Sequence, residues 1–179
     1  MHTEIEERVL EIDKESIIKK LENLGAKKVG DWHQKRFVYD FNPVRESEWI
    51  RLRTNGEETT LTYKNVESDT IDGTKELEIV VSSFDDTNKM LEVLGYKARA
   101  MQENKRIRYL FNDVEIDIDS WPMIPTYLEL ESDSIEKIKE VEELLEIDKS
   151  KITTLNCEDI YIQYGIDVDN IKELVFKEE

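Results

Sequence analysis

Apolar and polar residues alternate with a period of two over most of this chain, the spacing of strands that turn one face to a core and the other to something polar. WIRLR (49–53) sets Arg51 and Arg53 against Ile50 and Leu52, and TLTYK (60–64) sets Thr62 and Lys64 against Leu61 and Tyr63. KELEI (75–79) places Glu76 and Glu78 opposite Leu77 and Ile79, and RIRY (106–109) places Arg106 and Arg108 opposite Ile107 and Tyr109. VEIDID (114–119) carries Glu115, Asp117 and Asp119 on one side, and YLELE (127–131) ends with Glu129 and Glu131. TEIEERV (3–9) opens the chain in the same way, with Glu4, Glu6 and Arg8 on a shared face.

The period changes to that of a helix in a few stretches. Asp13 caps a predicted helix through Ile17, Ile18, Leu21 and Leu24 that Gly25 stops; Asp85 or Asp86 opens another through Met90, Leu91 and Leu94, stopped by Gly95. Asp133 with Glu136 reads as a capping box for a third, whose stripe is Ile135, Ile138, Val141, Leu144 and Leu145. A short last helix from about Asn156 buries Ile160, Tyr161 and Tyr164. TNGEE (54–58) is a hairpin turn, 65–74 a longer polar loop, and WPMIP (121–125) a structured turn that shields one end of the sheet, with a substrate-contacting lid as the alternative. Antiparallel strands with helices on their apolar side predict an α+β protein.

Part of the pattern occurs twice. Sliding the chain by 70 positions lays LENLGAKK on LEVLGYKA and aligns Lys35 with Lys105, Arg36 with Arg106, Tyr39 with Tyr109 and Phe41 with Phe111. A slip of two residues pairs Glu4 and Glu6 with Glu76 and Glu78, so a strand, helix, strand unit is read as duplicated.

Composition narrows the function classes. The 179 residues suit one domain, taken as 1–179 with C-terminal helices over 134–179, and no apolar run approaches the ~18 residues of a membrane span. No secretory or lipidation signal is read, and one Cys with two His assembles neither a disulfide nor a cysteine-histidine zinc site, so a cytoplasmic protein is expected. A net charge of −17 excludes a phosphate-tracking nucleic-acid binder and requires a local positive site for any anionic ligand. His2, His33 and Cys157 receive structural readings, Cys157 as a buried small residue.

One charged strand is ordinary wet surface. Here, however, five of eight arginines (Arg8, Arg51, Arg53, Arg106 and Arg108) stand on the charged strand face, whereas most lysines fall in helices and loops. The planar guanidinium fork suits phosphate and carboxylate. If the sheet curls into a barrel, that face becomes an interior whose charges need compensation, by cross-strand ion pairs or by a polyanion facing the arginines and divalent cations facing the carboxylates.

These strands resemble, in order, the motifs of the CYTH superfamily, the triphosphate tunnel metalloenzymes. Glu4, Glu6 and Arg8 are similar to its opening E-x-E-x-K, with Arg in place of Lys; Arg51 and Arg53 to its R-x-R; Thr62 and Lys64 to its T-x-K; and Glu76 and Glu78 to its middle E-x-E. NKRIRY with Arg106, EIDID with Asp119, and YLELE with Glu129 and Glu131 complete the series. The resemblance implies an eight-stranded antiparallel β tunnel, a closed barrel with helices packed outside. It implies Mg²⁺ or Mn²⁺ on Glu4, Glu6, Glu76, Glu78, Asp119, Glu129 and Glu131. It also implies a small-molecule triphosphate gripped by Arg51, Arg53, Lys64, Arg106, Arg108 and Arg36, the last as the repeat partner of Arg106.

Glu4, Glu6 and Arg8 become the catalytic candidates, although an arginine stays protonated and cannot act as a general base. Metal-dependent hydrolysis of inorganic or organic triphosphate is the leading expectation. A class IV adenylate cyclase reaction, giving cyclic AMP and pyrophosphate, and a non-catalytic polyphosphate or nucleotide binder are the alternatives. No nucleic-acid or membrane partner is expected, and a homodimer stays open.

Overall fold

A computed structural model describes residues 2–68 and 70–177, with side chains from Ile5 onward. Ten strands and four α-helices follow the predicted periods: β1 (His2–Val9), α1 (Lys14–Asn23), β2 (Lys27–Asp40), β3 (Glu48–Thr54), β4 (Thr59–Val66), β5 (Thr74–Val81), α2 (Phe84–Val93), β6 (Ala98–Phe111), β7 (Val114–Ser120), β8 (Tyr127–Ser132), α3 (Ile135–Leu144), β9 (Ile152–Thr153), α4 (Cys157–Gln163) and β10 (Glu173–Leu174). Among these residues no helix is long and apolar enough to cross a membrane.

Helix starts are set by side chains that accept the free first-turn N–H groups. Asp13 accepts from the Ser16 N–H at 2.9 Å, and Asn156 caps α4. The cap of α2 is Ser83, with Asp85 and Asp86 in the first turn, where they face the positive helix end. Ser134, not Asp133, caps α3, because Asp133 is drawn to Lys137 at 2.9 Å.

Eight strands pair in the order β6, β2, β3, β4, β5, β1, β8, β7, and β7 also pairs with β6; β9 and β10 add to β1 and β6. All pairings are antiparallel except that of β10. The circuit is not joined along its whole length. β1 meets β5 through three residue pairs only, from His2 with Glu76 to Glu4 with Thr74, so residues 77–81 of β5 lie beyond the described part of β1. The result is a large, deeply curled half-barrel rather than the evenly closed eight-stranded barrel expected from the sequence: among the described residues its β5–β1 seam is joined by those three pairs alone.

The apolar strand face is the outside of the curl. α1 and α3 cover it where Leu21, Ile116, Leu130, Ile138 and Leu145 are fully buried, and α2 covers Tyr39 and Leu52 on the other flank. A third cluster, with Trp121, Ile124, Tyr161 and Leu174, packs the 121–125 turn against α4 and β10 at one end of the curl. The duplicated segments meet in the longest ladder: Arg36 opposes Gln102 and Arg106 opposes Trp32, so the 70-residue offset exchanges β2 and β6 across it.

Candidate active site

With its apolar face outward, the sheet turns the charged alternate residues into a cleft of about 790 Å³. Glu6, Arg8, Arg36, Arg51, Arg53, Lys64, Glu76, Glu78, Arg106, Arg108, Glu129 and Glu131 all line it. Asp119 does not, being fully buried behind Arg106, and the Glu4 side chain lies outside the described residues.

The strand register sorts these groups into two walls. On one, Glu6 of β1 faces Glu131 of β8, which faces Glu115 of β7, while the next row runs Arg8, Glu129, Asp117. Arg8 donates from Nε to Glu129 at 2.8 Å, pairs with Glu6 at 3.0 Å and donates from Nη1 to the Leu155 carbonyl at 2.9 Å. Burial lowers the Arg8 pKa, but Glu6 and Glu129 more than reverse this, so the guanidinium is held above its ordinary value and stays protonated. Arg106 is committed likewise to Asp117 at 2.5 Å, to Glu129 at 3.0 Å and to both oxygens of Asp119. Arg108 closes the row on Asp117 and Glu115. Against the pull of burial, Arg8, Arg106 and Lys64 hold Glu129 well below the usual carboxylate range.

Glu131 is the exception. Among the described residues it has no ion-pair partner, and burial, then Glu129, Glu6 and Glu115, push its pKa up to about 7. The folded state therefore keeps a proton that the unfolded chain has already released, and it loses stability as pH rises from about 4.5 to about 7. Glu131→Gln is expected to melt a few degrees above the wild type at pH 8 and level with it at pH 4.5, read by thermal denaturation in chelator. An equal gap at both pH values would remove the assignment.

The other wall has the opposite character. Arg36 of β2 and Arg53 of β3 are directly opposite neighbours. Arg36 donates to Gln34 at 3.3 Å and to Asn104, both neutral, and its buried Nε has no partner. Burial, then Arg51 and Arg106, pull its pKa down to about 10. Arg53 reaches Glu78 only at 3.7 Å and is pulled well below its ordinary value by burial and by Arg51, Arg106 and Arg36. Glu76 and Glu78 belong to this wall: Glu76 pairs with Lys64 at 3.0 Å, and Glu78 accepts from Thr62 at 2.6 Å and Arg51 at 3.2 Å.

Toward a divalent cation the cleft offers carboxylate oxygens, the donors Mg²⁺ and Mn²⁺ prefer. Glu6 beside an unpaired Glu131 fits such an ion in kind. Among the described residues no three such groups converge; Asp117, Asp119 and Glu129 are held by arginine, and one oxygen of Glu6 is held by Arg8 at 3.0 Å.

Glu115 and Asp117, read on the charged side of VEIDID but not nominated for the site, belong to the carboxylate wall, and Asn104, whose inward direction the sequence left open, sits with Gln34 against Arg36; Gln34 went unnoticed. Trp121, in the turn read as lying at one end of the sheet, does line one end of the cleft, where Tyr127 and, from the C-terminal segment, Glu158 and Tyr161 join it without having been singled out from the sequence. Lys105 points outward over the Phe176 ring, 4.8 Å from its centroid, which leaves Asn104, Arg106 and Arg108 as the inward series. Cys157 is half-buried, packed against the Trp121–Tyr161 cluster at the border of the cleft, and burial pushes its thiol up to about 12. His33 is exposed beside Glu103.

The CYTH domain family model matches residues 2–164. No curated protein gives a significant match. Among solved structures, the PH1012 protein of Pyrococcus horikoshii superposes with a TM-score of 0.74 at 22% identity, over 86% of this chain and 96% of its own. A candidate adenylate cyclase of Vibrio parahaemolyticus gives 0.75 at 11% identity, over 90% and 98%. HpAC1 of Hippeastrum, reported to have a dominant triphosphatase activity, gives 0.61 at 13% identity, over 93% and 97%. At such identities the likeness shows a shared fold.

Proposed function

The chain belongs to the CYTH domain family, and on that premise we propose that it holds a triphosphate between its two walls and hydrolyses it with the help of a divalent cation. One observation carries the reading. Arg36 and Arg53 are like charges placed face to face, largely desolvated and with almost no carboxylate compensation, in a protein whose net charge is −17. Uncompensated buried cations are costly, and a polyanion is the ligand that would offset them.

Phosphoryl transfer asks chiefly for charge neutralisation and in-line positioning. Arg36, Arg51 and Arg53 would neutralise and orient the phosphate chain from one side. Mg²⁺ or Mn²⁺, held by Glu6 and Glu131, would supply Lewis-acid neutralisation of phosphate oxygens from the other. Arg8 and Arg106 keep the carboxylate wall in place and take no proton themselves. The triphosphatase activity reported for HpAC1, a protein with this fold, supports hydrolysis as the reaction.

The test is product analysis on inorganic triphosphate, thiamine triphosphate and nucleoside triphosphates with each metal. Release of inorganic phosphate that stops in EDTA is expected. Cyclic AMP and pyrophosphate from ATP would move the chemistry to the α-phosphorus, and no product from any pair would overturn catalysis.

A further inference from the structure

We infer that two copies of this chain pair about a two-fold axis, each laying an exposed apolar stripe of its α2 on the outer face of β4 and β5 of the other. That face is on the side of the sheet away from the cleft, and the inference is independent of the triphosphate reading.

The internal repeat shows what belongs there. Exchanging β1, β2, β3 and β4 with β5, β6, β7 and β8 reproduces the strand order, so β4 and β5 stand in one half where β8 and β1 stand in the other. With Glu4 and Glu6 matched to Glu76 and Glu78, Ile5 matches Leu77 and Glu7 matches Ile79. Against β8 lies α3, whose Ile138, Val141 and Leu145 pack with Val9, Leu128 and Leu130, and whose Lys139 reaches Glu7 of β1 at 2.9 Å. Glu7 is 2% exposed there. Among the described residues no helix follows β4 as α3 follows β8, and α2 stays over Tyr39 of β2 and Leu52 of β3. Leu77 and Ile79 are left 49% and 53% exposed, so the isoleucine is bare at the place where its glutamate counterpart is covered.

The missing cover is a helix with an apolar stripe, and the chain carries one. Leu91 of α2 faces its own sheet, yet Met90, Val93 and the C-cap Leu94, at spacings of three and four, are 60%, 83% and 65% exposed. A surface helix is normally polar away from its core. A two-fold axis places each stripe on the other copy's uncovered face and so satisfies both surfaces in both copies at once. Charge selects the same region. Copies that each carry −17 repel, and the outward row Leu61, Tyr63, Leu77 and Ile79 carries no charge, nor does IVVSSF (79–84), which leads into α2. With the α2 stripe this row gives seven apolar side chains per copy, about the central share of the roughly 20–30 residues that a stable interface uses on each side.

Sedimentation velocity over a dilution series tests this. The wild type is expected to sediment at twice 21.2 kDa, and Ile79→Lys and Val93→Glu each to weaken the pair about thirtyfold or more, since each puts a charge into an apolar contact. Ile79→Lys also makes the chain less negative, so weaker pairing in that variant cannot come from overall repulsion. Mixing the two variants is expected to restore pairing in part, because the mixed pair keeps one unaltered contact of α2 with β5 and sets a lysine toward a glutamate in the other. A wild type of 21.2 kDa at every concentration overturns the inference, as does a dimer that survives both substitutions or a mixture that pairs no better than either variant alone. Both side chains are exposed in the single copy, so neither change is expected to disturb folding, which circular dichroism checks; should one variant misfold, the other and the wild type decide.

Discussion

Arg53→Ala is expected to lose about a hundredfold or more in kcat/KM for triphosphate hydrolysis while the ligand-free protein melts no lower, and by up to a few degrees higher, than the wild type. The two effects have one origin. Arg53 is held charged against burial and against Arg51, Arg106 and Arg36, with a carboxylate only at 3.7 Å, so its positive charge destabilises the empty fold. Its removal relieves that repulsion and strands no anion, because Glu78 still accepts from Thr62 and Arg51. A bound polyanion reverses the balance: triphosphate should raise the melting temperature of the wild type and barely that of the variant. Phosphate-release kinetics and melting curves with and without inorganic triphosphate check both halves. A variant that keeps its turnover and melts many degrees lower would show Arg53 to be an ordinary structural ion pair.

Much of this cleft is legible in the sequence because strand alternation is a short-range property. Once Arg51 and Arg53 alternate with Ile50 and Leu52, the two sets must face opposite sides of the sheet whatever the rest of the chain does. The apolar helix stripes then say which side is covered, and twelve of the fourteen residues nominated from the motifs do line the cleft. Pairing is less legible, because it depends on register between distant segments. Nothing in EIDID says that Asp119 would be sequestered by Arg106 or that Glu131 would go unpaired; both follow from β8 lying between β1 and β7. Nor does any local pattern announce that β1 meets β5 antiparallel, Thr3 opposite Lys75. The duplication is the partial exception, since a 70-residue repeat carries long-range information and the β2–β6 ladder respects it. The aromatic end of the cleft was half legible: the WPMIP turn was placed at one end of the sheet, but Tyr161 and Leu174 reach it through a C-terminal segment whose helical spacing indicates burial without a destination.

The same physics reverses the sign of the stability effect at the neighbouring arginine. Arg106→Met is expected to cost about 3–5 kcal/mol, the range for breaking a buried ionic network from one side, and to lower the melting temperature by about 10 °C. Arg108 still holds Asp117 and Arg8 still holds Glu129, so the loss concentrates on Asp119, which is fully buried and would keep only the Asn104 amide at 3.2 Å. A buried carboxylate without a cation takes up a proton, so the variant should recover stability as pH falls. In the wild type Arg106 works against that gain: with Arg8 and Lys64 it holds Glu129 well below the usual range against burial, and the stability this contributes is lost as pH falls through the folded pKa of Glu129. The two melting curves should therefore converge toward acid pH. Adding Asp119→Asn to Arg106→Met should restore much of the loss near neutral pH, since the stranded charge is then gone. Failure of that second change to rescue would mean that Arg106 supports the wall through packing of its stem, and the division of the cleft into a compensated and an uncompensated set of arginines would lose its basis.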